Sequence, residues 1–515
     1  MAELKKNKQP MIKNVLTLCI CLMLAMAAAA QNITYSTVHS GENSREADVQ
    51  VLGKIGANYM VFKSIGWKNM IQVFDQNMKE LKNERLKFVP EKITNVDFVP
   101  YPNHVQMIYQ YQRGSVLYCY AVKLDAMGNQ QGEIVTLDTI RIGMRSAQGI
   151  YTTVYSEDKS HILVYKMFER NDKLQLVAKT YNKDLVLTDS CRSIHNFNDR
   201  KEVYSDFQIA NSGQVLFTKQ IKSGARENIN QLQLIRLQSK TGEFLETPIN
   251  LQEKYIDEVN MKIDNLNNNI ILNTFYYPQK RSADIDGIFS AIINLQSNEI
   301  KTAVNTFSDS LRAKMGNSGS LRQAFNSLFL KNIFLKKDGS YILVAEDFFT
   351  ETMGGFNRWN RWDYLYNNPY SYYDYNYLYS PYYRYNRFNS FNNRTSTKYY
   401  YNEILTVHFN QALQLTWQNV ILKKQSEVDD DSYLSFGTFN AGGEIHFLFI
   451  ELEKNSQIIS NHSISPYGNT FRYPTLKSRE AGYQFMPRLA KQVGARSVMM
   501  PCVKNNRICF ARIDF

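Results

Sequence analysis

YSDFQIANSGQVLFTKQIKSGARENINQLQLIRLQSKTG, residues Tyr204–Gly242 of a 515-residue chain, contains one cycle of the pattern that decides the fold. Apolar and polar residues alternate up to Ile209, the chain reverses at Asn211–Gly213, and a second alternating run follows through Gln220. After a polar loop a third run ends at Leu237-Gln238 before another turn. Alternation with a period of two between Asn, Ser and Gly is the mark of strands, and Asn-Ser-Gly supplies the positive φ values that a tight reversal needs.

The closing phrase, a bulky residue followed by Asp, Asn or Gln and a short turn, recurs along the chain. It stands at Phe74-Asp75, Leu124-Asp125, Tyr181-Asn182, Leu237-Gln238, Leu295-Gln296, Phe409-Asn410 and Ile513-Asp514. The first five copies are 50, 57, 56 and 58 residues apart, close to the period of a four-stranded propeller blade. The next gaps are 114 and 104. The first holds one period plus an insertion, and the second holds two periods, with a degenerate copy expected near Ile458–Ile464. Helical periodicity is nearly absent, apart from a short candidate at Ser320–Ser327.

The expected fold is therefore all-β: a single β-propeller of about eight four-stranded blades, with seven as the alternative count. The last unit stops where its fourth strand should begin, which would leave an unpaired outer edge. The segment NITYSTVH, Asn32–His39, is expected to supply that strand, so that the N- and C-terminal strands pair and close the ring.

Ahead of this, residues 1–30 combine lysines, an apolar run from Val15 to Met26 and Ala28-x-Ala30 before Gln31, the layout of a cleaved signal peptide. Cleavage at Ala30-Gln31 would give a secreted, periplasmic or cell-envelope protein without a transmembrane helix, comprising one propeller domain over 31–515. It would remove four lysines and one glutamate, lowering the net charge from +12 to +9. Lys and Arg are scattered, so no nucleic-acid partner is expected. Of the cysteines beyond residue 30, Cys502 and Cys509 would face each other across a hairpin turning at Asn505-Asn506, and a disulfide between them is compatible with export.

The pattern resembles secreted β-propellers of the broad WD40-like and TolB-like kind, in architecture only. The Gly-His and Trp-Asp signature of WD40 repeats is absent, and SADIDG at Ser282–Gly287 lacks the spacing and Trp of a sialidase box. The sequence contains no nucleophile elbow, zinc helix, P-loop or dinucleotide fingerprint. No catalytic set, metal or cofactor is expected on this reading. His408 and His446 read as core or sheet-face residues, and Asp429–Asp431 as a solvated turn. Acids and arginines on first strands of blades could meet at a central channel, and the candidates are Asp97, Asp206, Glu258 and Arg488. Convergence of several carboxylates there would speak for an enzyme acting on glycans or peptides.

The most conspicuous segment is an insertion at about 355–399, between strands two and three of the sixth unit. Fourteen of the chain's 34 tyrosines lie in Tyr364–Tyr401. Tyr and Asn alternate there with few aliphatic residues, a low-complexity composition, while tyrosine faces and hydroxyls suit contact with a glycan or an envelope protein. The expected contact residues are Trp359, Trp362, Tyr372, Tyr373, Tyr375, Tyr377, Tyr382, Tyr383, Arg384 and Arg387, with Arg358, Arg361 and Arg394 as further cations. The leading expectation is a non-catalytic binding or scaffold module, and the alternative is the propeller enzyme.

Overall fold

The computed structural model describes residues 32–39, 44, 47–142, 150–224, 226–315, 324–352, 361, 365, 396–453, 456–477 and 482–515. Residues 1–30 lie outside this set, as do all ten expected tract contacts from Trp359 to Arg387 and residues 320–323 of the helical candidate. Among the described residues, antiparallel strands form eight four-stranded units in chain order. Blade one spans Ala47–Arg85, two Asn95–Arg141, three Tyr151–Asn196 and four Glu202–Ile249. Blade five spans Tyr255–Thr306, six Leu328–Ile421, seven Phe436–Lys477 and eight Tyr483–Asp514. Blades four and five touch through one strand pairing, Ile229 opposite Ile256.

The recurring phrase has a physical cause in the turn between third and fourth strands. Asp75 Oδ1 accepts from the amides of Asn77 and Lys79, Asp125 Oδ1 from Met127 and Asn129, and Asn182 Oδ1 from Asp184 and Val186. Three residues after each cap, Met78, Gly128 and Leu185 take φ values of 60°, 71° and 62°. Burial of the Met78 and Leu185 side chains between blades holds these non-glycine residues in the left-handed region, which otherwise favours glycine. In the fifth copy the capping residue is Asn294, one position before the expected Leu295-Gln296. The degenerate copy is real: Ser456–Ile464 is the third strand of blade seven.

Eight apolar clusters each straddle two consecutive blades, as expected for sheets packed face to face around an axis. The eighth joins Val49, Val61 and Phe74 of blade one to Met499, Ile508 and Phe510 of blade eight, so the packing runs full circle. The seam is closed by the early strand as well. Asn32–Tyr35 pairs antiparallel with Ala511–Asp514, Asn32 opposite Asp514 and Ile33 opposite Ile513, as the outermost strand of blade eight. Just beyond it, Ser36 donates its amide to the Phe510 carbonyl at 2.8 Å and accepts from the Phe510 amide through Oγ at 2.9 Å.

Of the expected helix at Ser320–Ser327 only residues 324–327 are described, and they are turn; among the described residues of this region the helix is α1, Asp309–Lys314. Ser308 caps it by accepting from the Leu311 amide, Asp309 stands in its first turn, and Arg312 and Lys314 stand in its last. The innermost strand of blade eight is interrupted. It is split into Tyr483–Phe485 and Lys491–Gln492 by a 3-10 turn, Pro487–Leu489, because Pro487 cannot donate to a ladder. No described helix is long and apolar enough to cross a membrane.

Candidate functional site

In a four-stranded antiparallel blade the connection between strands two and three lies on the same face as the crossing to the next blade. The insertion leaves Thr352 and returns at Thr397, so it rises from the face where the innermost strands begin. Those strands surround a channel of ≈ 670 Å³, lined from seven of the eight blades. It is within the size range of ligand pockets.

Irregular pairing places charge in this channel. In blade four the register slips between Ser205 and Gln208, in blade five between Ile256 and Val259, and in blade six between Leu330 and Asn332. The residues expelled from the ladder include Asp206, Asp257 with Glu258, and Lys331. A bulge re-aims side chains and recurs near functional sites. Asp206 also adopts φ 54°, a left-handed backbone that Asp tolerates better than most residues.

Asp97, Asp206 and Glu258 all line the channel, and each carboxyl is pushed up to about 7, with burial as the main cause. Asp97 and Asp206 keep part of their surface open to the channel, but the dense wall behind them withholds most of the solvation a carboxylate needs. Asp97 accepts from Asn95 Nδ2 at 3.1 Å. The nearby Glu258 charge adds to the rise at Asp206, so these two acids sense each other. Glu258 accepts from the Leu330 amide at 3.1 Å, and the Arg361 guanidinium opposes the effect of its burial.

Arg361 is the insertion's own contribution. Its Nε donates to Asp257 Oδ2 at 2.5 Å, its Nη2 reaches Glu258 Oε2 at 3.2 Å, and its Nη1 bonds the Leu328 carbonyl. Only 6% of the residue is exposed, and its guanidinium lies 4.2 Å from the centre of the Phe329 ring. Tyr277 donates to the same Asp257 at 2.5 Å. Leu365 follows into an apolar cluster with Phe329, Phe348, Tyr399, Tyr401 and Leu434, and it also lines the channel. Arg361 and Leu365 are thereby fixed against blades five and six beside the channel.

Cations dominate the other side. Arg488 donates to Asp431 Oδ2 at 3.0 Å and to the Tyr401 hydroxyl at 3.1 Å. Lys331 reaches Glu346 at 3.4 Å, beside a fully enclosed ion pair, Lys423 to Glu346 at 2.7 Å. Burial would raise Glu346, but the two lysines outweigh it and hold the carboxyl below its ordinary value. Lys491 lines the channel and, among the described residues, has no ion-pair partner; burial first and then Lys159 pull its ammonium down to about 8.

All four sequence candidates, Asp97, Asp206, Glu258 and Arg488, thus meet in one channel. Glu157, Lys262, Lys331 and Lys491 also line the channel, and Arg361 pairs with Asp257 and Glu258 beside it; Arg361 stood among the tract cations, and the others carried no sequence signal beyond a charge near an apolar run. Asp431 corrects the solvated-turn reading: it is buried against Arg488, while Asp430 bonds Ser432 and Asp429 bonds the Thr397 amide. His408 and His446 are buried sheet residues bonded to Thr416 and Asn461, as expected. Cys502 and Cys509 do face each other, with thiols 3.0 Å apart and buried. Among the described residues no group of three or more His, Cys, Asp or Glu side chains could hold a metal.

No protein-family model matches the sequence, and no curated protein matches it. Solved structures do. The WD40 domain of SCAP from fission yeast aligns over 94% of this chain and 98% of its own, with 8% identity and a TM-score of 0.39. The polysaccharide lyase Uly1 aligns over 81% of this chain and 89% of its own, with 8% identity and a TM-score of 0.39. Prolyl oligopeptidase B from Galerina marginata aligns over 90% of this chain and 55% of its own, with 8% identity and a TM-score of 0.40. The likeness is to β-propellers as a broad class. It assigns this propeller to no specific family.

Proposed function

We propose that the protein is an exported, ligand-binding β-propeller of the cell envelope, with the central channel as its site and the tyrosine-rich insertion as the contact surface beside the mouth. One observation carries the reading: charged and polar side chains from seven blades line one channel, and Arg361 of the insertion is locked into its rim. The lysine-bearing apolar segment at residues 1–30 supports export. Tyrosine and arginine in the insertion suit a glycan or envelope protein as the outer partner.

The test uses two deletions. Removing residues 355–395 should abolish retention on cell surfaces and glycan panels, and removing 367–394 should reduce it while leaving the Arg361 ion pairs in place. Unchanged retention in both, with the fold intact by circular dichroism, would sink the contact surface.

A second reading is favoured by the convergence of carboxyls. Asp206 and Glu258, each near neutrality, are suited to general acid and base work on a glycan or peptide. Release of product from either substrate class, lost in Asp206→Asn, would make the protein an enzyme.

A further inference from the structure

The channel's charges without an ion-pair partner are unevenly placed along its axis. Every innermost strand runs from the insertion's face toward the opposite one. Asp97 is third in Asn95–Pro100, Asp206 fifth in Glu202–Ile209 and Glu258 fourth in Tyr255–Asp264, so carboxyls occupy the near and middle parts. Lys262 is eighth in its strand, and Lys491 stands in the last piece of its own, so ammonium groups gather in the far part; the one carboxylate of the lining at that end, Glu157, accepts from Asn265 Nδ2 at 2.8 Å. Both lysines line the channel, and Lys159 lies close enough to Lys491 to repel its charge.

Most other ions at this site are already matched: Glu258 and Asp257 by Arg361, Lys331 by Glu346, and Arg488 by Asp431. Asp97 and Asp206 have no cation, and Lys491 and Lys262 no anion, within ion-pair distance among the described residues. Unmatched charges of both signs in a confined space are costly, and a molecule carrying the complementary pair would relieve both ends at once.

Resting on the channel-binding reading above, we propose that the channel takes a short zwitterionic peptide, its α-ammonium toward Asp97 and Asp206 and its carboxylate toward Lys491 and Lys262. Spacing sets the length. Glu258 and Lys262 are four residues apart on one strand, about 13 Å at 3.3 Å per residue. Allowing about 3 Å for a hydrogen bond at each end leaves about 7 Å, the span of two extended residues. The burial that disfavours both the carboxylates and Lys491 is consistent with charges awaiting a partner.

The test is calorimetric titration of the full chain with dialanine, N-acetyl-dialanine, dialanine amide and maltotriose. Dialanine should bind, and blocking either end should weaken it by about tenfold or more, the worth of one charge-assisted hydrogen bond. Asp206→Asn, which keeps shape and tolerates the left-handed backbone, should erase the difference between dialanine and its acetylated form. Lys491→Gln should erase the difference between dialanine and its amide. Equal binding of free and blocked peptides, or binding of maltotriose alone, overturns the zwitterion and leaves the channel reading standing. Binding of none of the four probes to a folded protein overturns the zwitterion as well, and retention of the 355–395 deletion on cells then judges the binding reading separately.

Discussion

Blades six and eight depart from the regular unit in opposite ways, and the contrast shows where this ring is vulnerable and where it works. Blade six carries 44 residues between its second and third strands, yet Tyr341–Thr352 and Thr397–Phe409 remain paired along their length with one slip, between Glu346 and Phe348. Blade eight carries no insertion but needs residues from both ends of the sequence, with Asn32 opposite Asp514. An insertion in a hairpin adds loop entropy that grows slowly with length. A seam between distant segments depends on a few pairs that nothing else replaces. Both irregular blades also serve the channel, the sixth through Arg361 and Leu365 and the eighth through Arg488 and Lys491.

The largest expected effect breaks the seam. Deleting Asn32–His39 exposes the edge of Arg507–Asp514 and removes Ile33 and Tyr35 from the apolar cluster they cover. Cooperative melting should be lost or the protein should aggregate, whereas deleting 367–394 should move Tm by only a few degrees; calorimetry of the two variants reads the difference. Next is Arg361→Met, which takes the guanidinium away from buried Asp257 and Glu258. It should cost about 3–5 kcal/mol in urea titration, with partial rescue by the double change to Asp257→Asn, because an uncompensated charge is worse than no pair.

A smaller effect follows pH. Asp97, Asp206 and Glu258 have folded values raised to about 7, above their values in an unfolded chain. The folded state therefore holds more protons between the ordinary carboxylate range and neutrality. Their contribution to stability is complete at the acidic end of that window and is lost as pH rises through about 7. Tm should fall between pH 5.5 and 8, and Asp206→Asn should flatten that fall. Asp138 and Glu346, held low by lysines against the effect of burial, act in the opposite sense below the ordinary carboxylate range. The smallest effect belongs to Cys502 and Cys509. Mild oxidation should link them, visible as a joined peptide in a non-reduced digest, and stabilise the hairpin by about 3 kcal/mol or less, since the closed loop is short.

Much of the ring was legible in the sequence because its determinants are local. The Asp or Asn that caps each outer turn is a single residue at a fixed place, so Asp75, Asp125, Asn182 and Asn410 reveal the period directly. Asp97, Asp206 and Glu258 could be nominated from their places in first strands. Lys331 and Lys491 could not, because a lysine beside alternating apolar residues reads the same whether it faces water or a channel. The bulges at Asp206, Glu258 and Lys331 are properties of pairing with a neighbouring strand, and no single stretch encodes them. Asp431 sat in an acidic run whose composition suggested solvent, and its burial depends on distant groups, Arg488, 57 residues later, and the Tyr401 hydroxyl. The insertion stood out by composition, yet the contact that ties it to the site is one arginine among several.

Amide hydrogen exchange on the intact chain tests the seam most directly. With Ile33, Thr34, Tyr35 and Ser36 built into the outer edge of blade eight, the amides of residues 33–36 that point into the sheet should exchange in the same slow regime as those of Ile508–Ile513. Exchange of all of them at the rate of a free peptide, while Ile508–Ile513 stays protected, would contradict closure of the ring by the early strand.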